Sequence, residues 1–303
     1  MTKAPSVTHR SAPTALLVAM RPRQWAKNVL VFAAPLAAGR LFEVDILLPS
    51  LGAFVAFCLI SSATYLINDI RDVEVDRNHP KKSSRPIAAA QLSIRTAIVA
   101  AIVLTAASLA LSFAISLALG AVVVAYAVFT LAYSLALKHE PVIELALLAL
   151  GFLLRAIAGG AASGLPISQW FLIVAGFGSL FMAAGKRYSE LERFVRDGDS
   201  EEGPKRKSLD GYTLGYLRFV WGVAAAVTIT SYGLWAFDVA QTPSSFPFAE
   251  WSVLPFVLAI LRYGVSIDRG QAEAPEDAAL DDKVLLLLGL AWLVLFGLGA
   301  SGV

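Results

Sequence analysis

The sequence predicts an all-α polytopic membrane protein with nine transmembrane helices, its N-terminus cytoplasmic and its C-terminus outside. Three observations predict it. Apolar runs of roughly 18 residues or more recur along the chain, long enough for an α-helix to cross a bilayer. Of the 303 residues, 57% are hydrophobic and only 16% charged, with a mean hydropathy of +0.67, whereas a soluble domain is about a quarter charged. Finally, the loops alternate sharply in charge. Of 25 Lys and Arg residues, only Arg40 falls on the second side of the membrane and only Arg155 well inside a span.

Residues 1–13 are polar and Pro-bearing, lack a long apolar core, and are expected to be a disordered tail without a signal peptide. Residues 14–303 are expected to form a single transmembrane catalytic domain. Residues 14–21 are too short to span and suit the interface, with Pro22 opening helix 1. Spans are predicted at 24–40, 45–69, 94–114, 118–137, 142–161, 168–187, 215–238, 251–267 and 283–301. Gly159-Gly160 and Gly176/Gly178 are expected to let helices approach closely. The positively charged side carries the N-terminus and the loops near 70–93, 138–141, 188–214 and 268–282, and is expected to be cytoplasmic. Trp25, Trp170, Trp235 and Trp251 suit interfacial belts. Cys58 is the only cysteine, so intrachain disulfides are excluded. His9, His79 and His139 are scattered, which disfavours a histidine metal site. No phosphate-binding Gly-rich loop or Gly-x-Ser-x-Gly occurs, and nothing suggests nucleic acid as a partner.

The chemistry concentrates at the end of helix 2. In Asn68-Asp69-Ile70-Arg71-Asp72-Val73-Glu74-Val75-Asp76, the side chains of Asn68, Asp72 and Asp76 fall at i, i+4 and i+8 and share a helix face. Three oxygen-bearing groups there repel one another, and Mg²⁺ holding a diphosphate would offset that repulsion. The bland alternative is a solvated helix end. Asp69 and Arg71 point elsewhere and are expected to support the first three. Pro80 pushes His79 out of the helical region, so helix 2 is expected to stop near Arg77. Arg77 and Arg85 are expected to bind phosphate, whereas Lys81 and Lys82 suit either phosphate or anionic lipid head groups.

Further cations stand at other helix ends. Lys186, Arg187 and Tyr188 close helix 6, where snorkelling anchors are the alternative to a ligand role. Lys205-Arg206-Lys207 suits lipid or solvent. Lys27 and Asn28 lie inside helix 1 and are expected to face the bundle interior, whereas Arg21 and Arg23 suit anchors. Glu144 and Arg155 share a face about 16 Å apart and cannot pair. Glu144 is placed beside the polar cavity, and Arg155 is read as structural, satisfied by carbonyls of a neighbouring helix.

Nine spans with Asn-Asp-x-x-Asp-x-x-x-Asp after the second resemble the UbiA-type intramembrane prenyltransferase superfamily. Those enzymes hold Mg²⁺ and a diphosphate between Asp-rich motifs after helices 2 and 6, above a lipid-lined cavity. The first motif is complete at Asn68, Asp72 and Asp76. In the second, Gly185 stands at the first Asp position, Glu192 at the last, and Lys186-Arg187 between them. Together with Arg21-Pro22-Arg23-Gln24-Trp25, Arg77-Asn78-His79-Pro80 and Arg85-Pro86-Ile87-Ala88, this is similar to the superfamily branch that handles a phosphorylated sugar.

The resemblance implies a phosphoribosyltransferase of the bacterial plasma membrane, working at the cytoplasmic face. Its donor is 5-phosphoribosyl 1-diphosphate (PRPP) and its acceptor polyprenyl (decaprenyl) phosphate, with Mg²⁺ as cofactor and the product feeding cell-wall arabinan synthesis. It also implies a homo-oligomer, a trimer, among membrane lipids. Metal ligands are expected at Asn68, Asp72 and Asp76, with Asp69 in the catalytic group. Substrate phosphates are expected at Lys27, Asn28, Arg77, Arg85, Lys186, Arg187 and Tyr188. The competing readings are a prenyltransferase acting on an aromatic acceptor and, from a different class, a secondary transporter. The crowding of charge at one membrane face disfavours the latter.

Overall fold

A computed structural model describes residues 11–79, 82–197, 209–239, 246–274, 278 and 280–300, and no strand occurs among them. The expectations for residues 1–10, for Pro80 and Lys81, and for Lys205-Arg206-Lys207 lie outside the described residues. Helix α1 (Ala12–Ala19) precedes Arg21, whose left-handed φ of 55° turns the chain into Pro22. Among the described residues, eight helices are long and apolar enough to cross a membrane. They are α3 (Val44–Arg71), α5 (Ile94–Ile115), α6 (Leu117–Leu135), α7 (Ile143–Ser163), α8 (Gln169–Asp197), α9 (Leu214–Val239), the pair α10 (Phe248–Trp251) and α11 (Val253–Asp268), and α12 (Lys283–Ala300). The chain is an integral membrane protein.

The first expected span takes a different form. Pro22–Phe32 is a 3₁₀ helix, and only Ala33–Ala37 (α2) is α-helical. Pro22 fixes the first turn, as the sequence suggests, but eleven residues make an unusually long 3₁₀ run. The tighter winding rises about 2.0 Å per residue, so this segment with α2 extends about 30 Å, a hydrocarbon thickness, in fewer residues than an α-helix needs.

Helix 2 also departs from expectation. It does not run unbroken to Arg77: α3 ends at Arg71, Asp72 (φ −90°, ψ 10°) leaves the helical region, and α4 (Val73–Arg77) restarts. Asn78 then closes the segment, its side-chain amide donating to the Glu74 carbonyl at 2.9 Å.

Local signals set the remaining boundaries. Ser93 caps α5 by accepting from the Thr96 amide at 3.1 Å. Ser116 caps α6 through the Leu119 amide, and its hydroxyl also donates to the Ala161 carbonyl at 2.8 Å, tying the α5–α6 turn to α7. Gly164, with φ of 68°, ends α7 in the left-handed conformation glycine favours. A buried cluster of Val31, Phe57, Leu119, Val123, Leu154 and Ala158 joins the 3₁₀ segment to α3, α6 and α7. A second, including Phe181, Tyr188, Leu217, Tyr263 and Ile267, joins α8 to α9 and α11.

Of the four glycines expected to permit close packing, Gly159 is indispensable by geometry. A Cβ there would lie 2.1 Å from the Val31 carbonyl oxygen and 2.9 Å from the Pro35 ring. Gly176 and Gly178 meet only ordinary contacts beyond 3.6 Å. Gly159→Ala must therefore move backbone, and is expected to cost about 1–3 kcal/mol. Thermal unfolding in detergent checks this, with Gly176→Ala as the near-neutral control.

At the far end of the bundle, Arg262 of α11 donates to Asp282 at 2.6 Å, and Asp282 caps α12 by accepting from the Val284 and Leu285 amides. The Arg262 hydrogen bond, followed by the Leu285 amide, holds the Asp282 carboxyl below the usual carboxylate range. A carboxyl lowered by folding stabilises the fold above its unfolded pKa of roughly 4 and loses that contribution as pH falls through the folded value. The protection factors of the amides at residues 283–286 are expected to stay constant above about pH 5 and to fall on acidification below about pH 4, read by hydrogen exchange.

Candidate active site

The walls of one cavity of about 210 Å³ gather polar side chains from five segments of an otherwise apolar bundle. The 3₁₀ segment contributes Lys27; α3 contributes Thr64, Tyr65 and Asn68; α6 contributes Tyr126, Thr130, Tyr133 and Ser134; α7 contributes Arg155; and α8 contributes Lys186. A second cavity of about 440 Å³ adjoins it and shares Lys27, Phe152 and Met182. Apart from Lys27, its walls are overwhelmingly apolar and aromatic, including Leu30, Leu36, Phe171, Trp235, Trp292 and Phe296. A polar chamber thus adjoins an apolar one, with a lysine in the shared wall.

The acidic segment is divided between two surroundings. Asn68 lines the polar cavity. Asp72, at the break between α3 and α4, has a side chain 40% exposed, with Lys138 at 3.9 Å. Asp69 and Asp76 are buried together, held by arginines. Arg85 donates to Asp76 at 2.7 Å and to Asp69 at 3.1 Å, while Arg21 donates to Asp69 at 2.6 Å. Asp69, placed behind the motif by the sequence, is thus the more tightly held carboxylate. Asp76, expected beside Asn68 and Asp72 on one face, is turned toward Arg85. Seven residues, nearly two full turns, bring Asp69 and Asp76 onto the same side, and the pleat at Asp72 leaves that pairing intact. Among the described residues no three His, Cys, Asp or Glu side chains converge as a metal-binding group. Asn68 and Asp72 fit a Mg²⁺ ion that draws most of its ligands from water and substrate phosphate, since Mg²⁺ takes few protein carboxylates.

The expected phosphate-binding residues separate in the same way. Lys27 and Lys186 line the cavity, Lys186 with Glu190 at 4.0 Å. Arg85 is engaged by the two carboxylates. Arg77 turns outward to Glu74 at 2.7 Å. Asn28 is buried behind the cavity wall, its amide against Cys58 and Ser61 and its carbonyl oxygen accepting from Arg155. Tyr188 packs against Trp221 in the α8–α9–α11 cluster and accepts from Arg218 at 2.6 Å. Arg187 is 2% exposed and clasped between Glu144 and Glu190, donating from Nε to Glu144 at 2.7 Å and reaching the Tyr133 hydroxyl at 3.2 Å. Neighbours on α8 point about 100° apart, and here Lys186 faces the cavity while Arg187 is turned to Glu144 and Glu190. Glu144, expected beside the cavity, is 1% exposed and taken up by Arg187.

Gly185 stands where the second motif would begin with an acidic residue. A Cβ at that position would lie 2.4 Å and 2.8 Å from the Cδ1 and Cγ1 atoms of the buried Ile267 on α11, so the site of a first acidic ligand is filled by a neighbouring helix.

The sequence reading missed the α6 wall. Tyr126, Thr130, Tyr133 and Ser134 fall at i, i+4, i+7 and i+8, a polar stripe down one side of an apolar span. That periodicity was the available signal. Arg155 is also reassigned. It is satisfied by Asn28, Tyr126 and its own helix rather than by carbonyls of a neighbour, and it lines the cavity.

The two adjacent cations on α8 are expected to respond differently to truncation. Arg187→Ala strands the buried Glu144 and should destabilise the protein by about 3–5 kcal/mol. Lys186→Ala breaks a partly exposed pair and should change stability by less than about 1 kcal/mol while lowering turnover. Thermal unfolding in detergent, read beside the transfer assay, separates the two.

Residues 29–280 match the model of the UbiA prenyltransferase family. A decaprenyl-phosphate phosphoribosyltransferase of Corynebacterium glutamicum is 50% identical over 282 residues, covering 91% of this chain and 84% of that protein. Its namesake in Mycobacterium tuberculosis is 50% identical over 283 residues, covering 92% of each chain. Among solved structures, a UbiA homolog from Archaeoglobus fulgidus bound to GPP and Mg²⁺ superposes with a TM-score of 0.66 at 19% identity, over 95% of this chain and all of that one. A digeranylgeranylglyceryl phosphate synthase gives a TM-score of 0.67 at 17% identity, over 96% and 99%.

Proposed function

Because the chain belongs to the UbiA prenyltransferase family, we propose that it applies that fold to phosphoribosyl transfer: 5-phosphoribose passes from PRPP to decaprenyl phosphate, and diphosphate leaves. The observation that carries this reading is the set of cations lining the polar cavity. Lys27, Arg155 and Lys186 stand around a chamber whose only motif residue is Asn68. A prenyl diphosphate held between two acidic motifs needs carboxylates on both sides, whereas this site has cations on the second side, with Ile267 filling the space beside Gly185. Such a chamber suits a donor carrying a third phosphate and an acceptor carrying a fourth. Relatives of about 50% identity over nine-tenths of the chain bear the matching name.

Asn68 and Asp72 are the residues that would hold Mg²⁺. Held there, the ion would supply charge neutralisation to the diphosphate leaving group. Lys27, at the junction of the two cavities, suits the acceptor phosphate, with the prenyl chain in the apolar chamber among Leu30, Leu36, Phe171 and Trp292. An acceptor phosphate oxygen forms the new bond to ribose C1 as the bond from C1 to the diphosphate oxygen breaks, and its electron pair leaves with diphosphate. Positive charge on the ring is spread as in other glycosyl transfers, and attack from the opposite side inverts C1. The acceptor phosphate, with a second pKa near about 6, is already ionised at neutral pH. No protein base is required, consistent with the scattered histidines.

The placement of Lys and Arg supports a cytoplasmic site. The length of the 3₁₀ segment with α2 supports a ninth crossing, with the N-terminus inside and the C-terminus outside. The product chemistry suits cell-wall arabinan synthesis.

Purified protein given labelled PRPP, decaprenyl phosphate and Mg²⁺ is expected to yield a labelled lipid-linked phosphoribose. Prenyl diphosphate with an aromatic acceptor should yield nothing, and product only from that second pair sinks the proposal. Asp72→Asn should reduce the first reaction at least about 100-fold with an unchanged unfolding temperature, since it removes a charge-bearing ligand without touching the buried ion pairs. Near-normal turnover would reject the metal role of Asp72.

A further inference from the structure

Arg155 is a charge inside the membrane with no ion-pair partner among the described residues. It lies twelve residues into α7 and is 7% exposed. Its Nε donates to the Asn28 side-chain oxygen at 2.8 Å, Nη1 to the Gly151 carbonyl at 2.7 Å and Nη2 to the Tyr126 hydroxyl at 2.7 Å. The guanidinium carbon sits 4.7 Å from the Tyr126 ring centre and 5.8 Å from that of Phe152. All these partners are neutral. Two other arginines near the site, Arg85 and Arg187, each hold two carboxylates. Glu144 on the same helix is three turns away and bonded to Arg187.

A guanidinium carries five N–H donors, and these three bonds leave one on each terminal nitrogen. Arg155 also forms part of the polar cavity's wall. On α7 that wall runs from Leu147 to Arg155, about 12 Å along the axis. Asn68 lies near the end of α3 and Arg155 deep in α7, so the chamber has a metal-suited end and a cationic floor. Lys27, shared with the apolar cavity, occupies the junction where a lipid phosphate would enter. The floor is left for the remaining anion.

We propose that Arg155 binds the 5-phosphate of the donor, with its two remaining terminal N–H groups presented to that phosphate in the fork geometry guanidinium offers phosphate oxygens. Asn28 and Tyr126 are positioning residues that hold the fork. The site makes the enzyme selective for a ribose phosphorylated at C5, and the substrate supplies the counter-charge. This rests on the phosphoribosyl-transfer reading and deepens it.

The test compares two donors, PRPP and ribosyl 1-diphosphate lacking the 5-phosphate, in wild type, Arg155→Gln and Arg155→Lys. The expected result is a fall of about 10- to 100-fold in kcat/KM for PRPP in R155Q, the size of one charged hydrogen-bonded contact. It should appear mainly in KM for PRPP, with KM for decaprenyl phosphate within about twofold and the slow rate with the dephosphorylated donor unchanged. R155K should lie between. Equal losses with both donors would make Arg155 a structural prop and overturn the proposal, as would a shift confined to KM for decaprenyl phosphate. If R155Q does not fold, the donor ratio in R155K decides. If wild type transfers nothing from PRPP, the transferase reading itself has failed. The floor is then judged by ribose 5-phosphate, which should raise the unfolding temperature of wild type and not of R155K; equal shifts in the two would overturn the site.

Discussion

Arg187 fixes α8 against α7 by holding Glu144 and Glu190 where the helices leave the apolar layer. The rest of the site depends on this clasp. Removing a guanidinium from water costs several kcal/mol unless a partner of opposite charge meets it, so once Arg187 and Glu144 are buried together the helices cannot rotate without stranding one of them. That rotation sets which side of α8 looks into the chamber: Lys186 does, and Gly185 meets Ile267. Arg85 plays the corresponding part on α3 and α4, drawing in Asp69 and Asp76 and leaving Asn68 at the cavity and Asp72 partly exposed. Arg85 and Arg187 are thereby neutralised against carboxylates away from the chamber, while Lys27, Arg155 and Lys186 form part of its wall.

Much of this was legible in the sequence, and what was not has definite causes. Apolar run length located seven of the eight helices within a few residues, because the bilayer requires that length whatever packs against it; α8 instead continues ten residues past the expected end at 187, through a charged stretch that run length does not register. It could not distinguish 3₁₀ from α winding at Pro22–Phe32, since both bury an apolar segment and satisfy the backbone. The acidic segment marked the site region, and an ideal helical wheel put Asn68, Asp72 and Asp76 on one face. The arginines that take Asp69 and Asp76 come from distant parts of the chain, one from before the 3₁₀ segment and one from beyond α4. No local spacing rule reports a partner at such a distance. The same holds for Arg187, whose adjacency to Lys186 suggested a shared role while helical geometry sends the two side chains apart.

Under the proposed function, the two adjoining chambers would divide the work of handling an amphiphile. Aromatic and aliphatic walls around Phe171, Trp235, Trp292 and Phe296 accept chain length without specifying it, because apolar contact is non-directional. The polar chamber is small, and its α6 wall offers hydroxyls from Tyr126, Thr130, Tyr133 and Ser134 in a single stripe. Directional bonds there fix orientation where a reacting carbon has to be met from one side.

The winding of Pro22–Phe32 has a consequence for how the chain can vary. With three residues per turn, side chains stack in straight ridges instead of drifting around the axis. Pro22, Trp25, Asn28 and Val31 form one ridge, and it meets α3 and α7: Trp25 donates to Ser62, Asn28 accepts from Arg155, and the Val31 carbonyl lies over Gly159. Arg23, Ala26 and Val29 form the exposed ridge. Lys27, Leu30, Ala33 and Leu36 continue the third, along the apolar chamber. The segment is in effect a triangular bar with one side for the bundle, one for lipid and one for ligand. Adding or deleting a single residue within it turns everything beyond by about 120° and exchanges the three sides at once. Substitutions along a ridge are therefore separable by side, whereas a change in length is not tolerated by any of them.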